Sequence, residues 1–241
     1  MPLNFLKPFI QIAGILDQEE ADLLVSLGVP YIGFPFKLDY HLEDLSLEDG
    51  KKIIMNLPKT THAVLITYLN KAEDTMERAD YLGTQFVQFH GDIATQELAL
   101  LKEKRPQLTI LKSLIIGKQP LSKIYSFIDA YSPLVDGFIT DTFDPDTGAS
   151  GATGKTHDWQ VSQQIVQYSH RPVILAGGLH SGNVREAILR VCPAGVDTHT
   201  GVEDRNGRKD SDKAQAFMAN ALKGFRVTMK NFPRKKPPES E

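Results

Sequence analysis

The chain has 241 residues, a normal length for one α/β barrel and long for an ordinary single domain. Its 41% hydrophobic and 24% charged content is that of a globular protein with a real core, and a net charge of −3 gives no electrostatic reason to expect nucleic acid or an anionic membrane as a partner. The one cysteine, Cys192, excludes an intramolecular disulfide and fits a reducing, cytoplasmic compartment; no apolar run approaches the roughly 18 residues of a membrane span, and the N-terminus lacks a secretory signal.

Strand-like and helix-like segments alternate along the chain. "PFIQIAG" (8–14) is a short apolar run, followed by Asp17 with Glu20 three residues later, a capping-box signature that opens a helix ending near Gly28. "YIGFPF" (31–36) precedes "LSLEDGKKIIMN" (45–56), with Ser46 as N-cap, and "AVLITY" (63–68) leads through Asn70 into "KAEDTMERADYLG" (71–83). "QFVQFHG" (85–91) precedes a helix over Leu98 and Leu101, and "LTILKSLII" (108–116) precedes "LSKIYSFIDAY" (121–131). "VDGFITD" (135–141) is followed by a long loop and "HDWQVSQQIVQYS" (157–169). "PVILAGG" (172–178) runs into "GNVREAILRV" (182–191), and "GVDT" (195–198) leads by a polar loop into "SDKAQAFMANALKGF" (211–225).

Eight such units with no break in composition predict one domain over residues 1–232, with "PRKKPPESE" (233–241) as a disordered, solvated tail. Parallel strands need crossover helices, so the alternation predicts a parallel sheet. Eight units in about 225 residues fit a closed (β/α)8 TIM barrel. An open doubly wound sheet should show a Gly-rich turn after its first strand, and "AGILDQEEA" has no GxGxxG.

In a barrel the chemistry lies at the C-terminal strand ends. Asp39 and His41 follow the second strand, Tyr68 and Asn70 the third, and Gln88 and His90 the fourth. Lys112 lies on the fifth, Asp141 ends the sixth, and Asp197 through Thr200 close the eighth. Asn70 reads as a helix cap, whereas Asp141 and Asp197 stand behind apolar strands and not at obvious caps. Asp39 and His41 are substrate-side candidates if their loop folds over the mouth. "AGGLHSGNV" (176–184) and "THTGVE" (198–203) free backbone N–H groups of side-chain bulk, the arrangement that gathers an anion. Gly177, Gly178, Thr198, His199, Thr200 and Gly201 are therefore the expected phosphate cradle, at the place where barrels commonly hold one.

Taken in order, "QIAGI" (11–15), "VQFHG" (87–91), "DT" (141–142), "GATGKTHDW" (151–159), "LAGGLHSGNV" (175–184) and "GVDTHTGVEDRNGRKD" (195–210) resemble the phosphoribosylanthranilate isomerase family of tryptophan biosynthesis. The resemblance implies a metal-free and cofactor-free aldose–ketose (Amadori) rearrangement of a phosphoribosyl amine, a phosphorylated small molecule. It implies that Asp141 is the general acid for the ribose ring oxygen, that Asp197 contacts substrate, and that Gln88 and His90 are the fourth-strand motif.

Two departures from the family pattern bear on chemistry. The family's first strand reads Lys-Ile-Cys-Gly-Ile, with the cysteine as base, where this chain has Gln11-Ile12-Ala13-Gly14-Ile15. A methyl group accepts no proton, and a missing acid/base group typically costs about 10²–10⁴ in rate. The family's arginine for the anthranilate carboxylate is also missing from "FKLDYHLEDL" (36–45), and His199 and Thr200 stand where two serines are usual. The expectation is a retained phosphosugar end with little activity on phosphoribosylanthranilate itself and a changed substrate. A non-catalytic phosphosugar-binding paralogue is the alternative, and a Schiff-base lyase or aldolase using Lys112 the more distant one. Cys192, between the seventh helix and eighth strand, reads as a small core residue at the far end of the barrel.

Overall fold

The computed structural model describes residues 7–36, 45–142 and 156–231. Eight strands close into one parallel barrel in sequence order: β1 (Phe9–Ala13), β2 (Tyr31–Pro35), β3 (His62–Thr67), β4 (Phe86–Phe89), β5 (Thr109–Ile116), β6 (Gly137–Thr142), β7 (Val173–Leu175) and β8 (Gly195–Thr198). The helices between and after them are α1 (Gln18–Ser26), α2 (Leu47–Asn56), α3 (Ala72–Leu82), α4 (Thr95–Lys104), α5 (Leu121–Tyr131), α6 (Trp159–Tyr168), α7 (Val184–Val191) and α8 (Ser211–Asn231). Closure is set where β1 pairs with β8, Gln11 opposite Asp197 and Ile12 opposite Thr198.

Strands buried on both faces read as apolar runs, and here the two faces separate into two cores. Ile10, Ile12, Leu65, Val87, Ile110, Phe138 and Val173 face outward and pack with Leu24, Leu98, Ile128 and Ile165 of the helices. Each such side chain taken fully from water contributes about 1.5–3 kcal/mol. Phe9, Ala13, Val64, Ile66, Leu111, Ile139, Ile174 and Ala176 fill the interior. Phe9 stacks on Tyr31 with ring centroids 3.9 Å apart, and Phe86 meets Tyr31 edge-on at 5.4 Å, so aromatic rings close the N-terminal end of the barrel. Polar chemistry is left to the opposite end.

Asp17 caps α1 by accepting the Glu20 N–H at 3.0 Å, and Ser46 caps α2 by accepting that of Asp49 at 3.1 Å. Glu20 does not reach back to the cap as a capping box would. Its buried carboxylate instead takes the N–H of Leu16 at 2.9 Å and of Lys209 at 2.9 Å, tying α1 to the loop after β8. Asn70 is exposed and does not cap α3, whose N-cap is Lys71; the Ala72 N–H is taken by Glu97 of α4 at 2.8 Å. Cys192 is half-buried rather than in the core, and ends α7 in a left-handed conformation (φ 54°). The 233–241 tail lies outside the described residues, and among those described no helix is long and apolar enough to cross a membrane.

Candidate active site

The mouth is built by strand register. Parallel neighbours opposite each other point to the same face, so Gln11 and Asp197 both enter the barrel from β1 and β8. Gln11, fully buried, donates from Nε2 to Gln88 Oε1 of β4 at 3.0 Å, spanning the interior. One pleat above Gln88, His90 Nδ1 meets Ser113 Oγ of β5 at 3.3 Å and lies 3.7 Å from Asp141 Oδ2 of β6. The Tyr68 ring stands 5.1 Å from that of His90. Gln88, His90, Asp141 and Asp197 are thus gathered from three strands, β4, β6 and β8, at one end, as the sequence reading expects. Asp39 and His41 lie outside the described residues.

Two carboxyls in this mouth are held above their ordinary range. Burial pushes Asp141 from 3.8 to about 7, against the Thr142 N–H that donates to its Oδ1 at 2.8 Å. Burial also pushes Asp197 to about 7, reinforced by the charge of Asp141 and only partly offset by the Gln11 amide, Lys209 and the Thr198 N–H. Asp197 Oδ1 and Gln11 Oε1 are buried with no hydrogen-bond partner among the described residues. A neutral acid near pH 7 can give a proton and, once ionised, take one, which is what acid–base chemistry asks of its groups.

Beside the carboxyls, the loops after β7 and β8 are locked together. Gly177 and Gly178 have φ of 99° and 62°, a region that side chains rarely adopt. A Cβ on Gly177 would strike the Thr142 hydroxyl, and one on Gly201 would strike the Leu179 carbonyl oxygen. Thr198 Oγ1 donates to Leu179 O at 2.7 Å, and Asn183 Nδ2 to Gly178 O at 3.0 Å. Thr200–Val202 is a 3-10 turn with His199 as its N-cap, so its first N–H groups open at the same place. Among the described residues, the N–H groups of Gly177, Gly178, Thr200 and Gly201 have no protein acceptor. His199 turns its ring onto Gly14 at the end of β1, where Nε2 lies 3.3 Å from Glu203 Oε1. Lys209 holds the same Oε1 at 2.6 Å.

Lys112 is a correction to the reading that placed it among the mouth residues. It faces outward, 2% exposed, with Nζ 5.4 Å from the ring centre of Phe127 of α5 and within reach of the carbonyls of Phe89 (3.4 Å) and Ser113 (3.3 Å). Burial lowers it to about 8, but the wall of the barrel separates it from the interior, so Schiff-base chemistry at the mouth is closed to it. Cys192 lies on the connection that enters β8 from its N-terminal end and is equally remote. Among the described residues no group of three or more His, Cys, Asp or Glu could hold a metal ion.

The structure also shows a residue that sequence reasoning passed over. His157 places Nδ1 2.9 Å from Thr142 Oγ1 and Nε2 2.5 Å from Ser162 Oγ, linking the end of β6 to α6 directly behind Gly177. Burial lowers it to about 4, so the ring is neutral near pH 7. Its sequence signals are its place beside the Asp158 cap and inside the stretch "GATGKTHDW" (151–159), neither of which gives the histidine a role.

A family model described as N-(5'-phosphoribosyl)anthranilate (PRA) isomerase matches residues 10–220. The N-(5'-phosphoribosyl)anthranilate isomerase of Methanothrix thermoacetophila is 34% identical over 209 residues, 87% of this chain and 95% of that protein. A second relative, N-(5'-phosphoribosyl)anthranilate isomerase 2 of Methanosarcina mazei, is 34% identical over 218 residues, 90% and 95% of the two chains. The crystal structure of phosphoribosyl anthranilate isomerase from Thermotoga maritima superposes with a TM-score of 0.76 at 28% identity, covering 90% of this chain and 100% of that one. A further crystal structure, of a phosphoribosyl anthranilate isomerase in complex with reduced 1-(o-carboxyphenylamino)-1-deoxyribulose 5-phosphate, has a TM-score of 0.74 at 25% identity and covers 90% and 100%. Matched in this way from its first strand into its last helix, the chain belongs to the N-(5'-phosphoribosyl)anthranilate isomerase family.

Proposed function

We propose that the protein is an aldose–ketose isomerase of N-(5'-phosphoribosyl) amines, with phosphoribosylanthranilate as the substrate to test first. The observation that carries this reading is the position of Asp141, a carboxyl near 7 that opens into the same mouth as the cradle formed by the loops after β7 and β8. The amides of Gly177, Gly178, Thr200 and Gly201 take the phosphate, whose charge suits N–H groups that have no acceptor of their own among the described residues. With the phosphate fixed, the ribose lies across the barrel mouth toward β4 and β6. Asp141 protonates the ring oxygen as the C1–O bond breaks, and the amine nitrogen's electron pair forms a protonated imine at C1. His90, held by Ser113 and close to Asp141, keeps that carboxyl aimed, and Gln88 and Asp197 contact the sugar hydroxyls.

A second reading keeps the phosphoribosyl half and changes the amine. It is favoured by the missing arginine in residues 36–45, because the planar guanidinium fork is what recognises a carboxylate in two places.

One assay separates the two. The purified protein is given phosphoribosylanthranilate and, in parallel, the phosphoribosyl derivative of aniline, and the ketose product is measured by chromatography. Turnover of the first alone supports anthranilate as the amine. Equal turnover of both supports a site indifferent to the carboxylate. No ketose from either, in a protein that binds the reduced product analogue, refutes isomerase activity on these amines.

A further inference from the structure

Resting on the isomerase reading above, we infer that Asp197 is the general base of this chain, doing at β8 the work that the missing thiol of Ala13 does elsewhere in the family. Once the ring is open, the reaction requires the C2 proton to leave. Ala13 is buried and faces the interior, but its methyl group cannot accept that proton. The neighbouring strand offers a carboxylate on the same face: β8 pairs with β1, and Asp197 stands opposite Gln11, one pleat below Ala13. Above it a methyl stands where the family has the bulkier thiol.

Three further features set Asp197 apart from a merely structural carboxylate. Its Oδ1 is buried and has no hydrogen-bond partner among the described residues, so an acceptor lies ready inside the mouth. The family's lysine is replaced by Gln11, which brings an amide and no charge to the register position directly opposite. The ionisable groups that act on it are Asp141, which repels its charge, and Lys209, which only weakly favours it; Lys209 itself is committed to Glu203 at 2.6 Å. Two carboxyls that repel in this way divide the labour between a proton donor and a proton acceptor.

The step is balanced without any co-reactant. Asp141 has given its proton to the ring oxygen, leaving a C1 iminium. Asp197 takes the proton from C2, the C2–H pair forms the C1–C2 double bond, and the iminium electrons return to nitrogen. Asp197 then returns its proton to C1 while the carboxylate of Asp141 takes the one on O2, which gives the ketose and restores both carboxyls to their starting forms.

The experiment measures turnover of phosphoribosylanthranilate and, separately by calorimetry, binding of reduced 1-(o-carboxyphenylamino)-1-deoxyribulose 5-phosphate. Asp197→Asn is expected to lower kcat by about 10²–10⁴ while binding changes less than about fivefold, the size of one lost neutral hydrogen bond. In Asp197→Asn, adding Ala13→Cys is expected to restore kcat by about tenfold or more, since a thiolate then serves as base. Asp197→Asn with turnover within about threefold of wild type, well under any acid–base contribution, overturns the assignment, as does failure of the thiol to rescue. Should Asp197→Asn not bind the analogue, Asp197→Glu decides: it keeps a carboxylate, and turnover no higher than that of the Asn variant overturns the proposal. A wild type that binds the analogue and makes no ketose refutes the isomerase reading and the base with it. A wild type that turns over with an indifferent Asp197 refutes the base alone.

Discussion

Thr198 Oγ1 donates to Leu179 O at 2.7 Å and thereby fastens the end of β8 to the loop after β7. The bond is buried and links the two loops proposed to hold the phosphate, so its loss should be felt in binding before chemistry. Thr198→Val keeps the shape of the side chain and removes the donor, leaving Leu179 O unsatisfied at a cost of about 1–3 kcal/mol. KM for the phosphorylated substrate is expected to rise about tenfold or more with kcat nearly unchanged. Steady-state kinetics check this, and a fall in kcat at constant KM would contradict a role in phosphate binding.

Gly201 allows a still closer approach, because a Cβ there would collide with the same carbonyl. Gly201→Ala must push the 3-10 turn off Leu179 and spread the amides that are to meet the phosphate. Sulfate and ribose 5-phosphate, which stabilise a competent cradle by mass action, should raise the Tm of wild type and leave that of the variant unmoved. An equal ligand-induced shift in both would place the anion elsewhere.

Lys112 tests the barrel wall. Since its ammonium lies under Phe127 on the outer face, Lys112→Met should keep isomerase turnover within about tenfold, any loss coming from the freed carbonyls of Phe89 and Ser113. Borohydride in the presence of a phosphosugar should trap no adduct in wild type. A trapped adduct that Lys112→Met abolishes would return the Schiff-base chemistry to consideration.

The stability of the fold should carry the mark of the two raised carboxyls. Each binds a proton more tightly folded than unfolded, with a folded value near 7 against the ordinary 3.8. Between about pH 4 and 7 the native state therefore holds more protons than the unfolded chain, and stability falls as pH rises through that window. Asp141→Asn removes one titration and should be more stable than wild type at pH 8 by on the order of 2 kcal/mol, with little difference at pH 4. Urea unfolding at the two pH values measures it, and an advantage that does not grow with pH would contradict burial as the cause.

The barrel was legible because each parallel strand is an apolar run between turn signals, and β8 was read with the bounds it has in the structure, Gly195–Thr198. The same property hid the phase of the strands. In β5, Leu111 faces in and Lys112 out, yet both faces are buried, so no alternation of polar and apolar residues marks which way the lysine turns. Asp141 and Asp197 were legible as polar residues that end apolar runs. His157 was not, because its partners Thr142 and Ser162 lie 15 residues before it and 5 after it on elements that only the closed barrel brings together. The reciprocal bond expected of Glu20 failed for a related reason: the distant Lys209 N–H, 189 residues on, takes its carboxylate.

Gln11→Lys, which restores the family's residue, gives the sharpest reading of the carboxylate it faces. Register places residue 11 opposite Asp197, so an ammonium there stabilises the ionised form of that carboxyl and draws its pKa down from about 7. If Asp197 removes the C2 proton, the acidic limb of kcat/KM should move to lower pH by about one unit or more, the usual effect of an adjacent opposite charge. The plateau rate should fall at the same time, because a less basic carboxylate is a poorer proton acceptor. Burying a lysine without a partner would unfold the barrel, whereas here the new cation and the old anion offset each other's desolvation, so the variant should fold. The double variant Gln11→Lys with Asp197→Asn lacks that pairing and should be less stable than either single change. A pH profile of Gln11→Lys that superposes on wild type, in a protein with normal Tm, would show that the rate does not depend on the ionisation of Asp197.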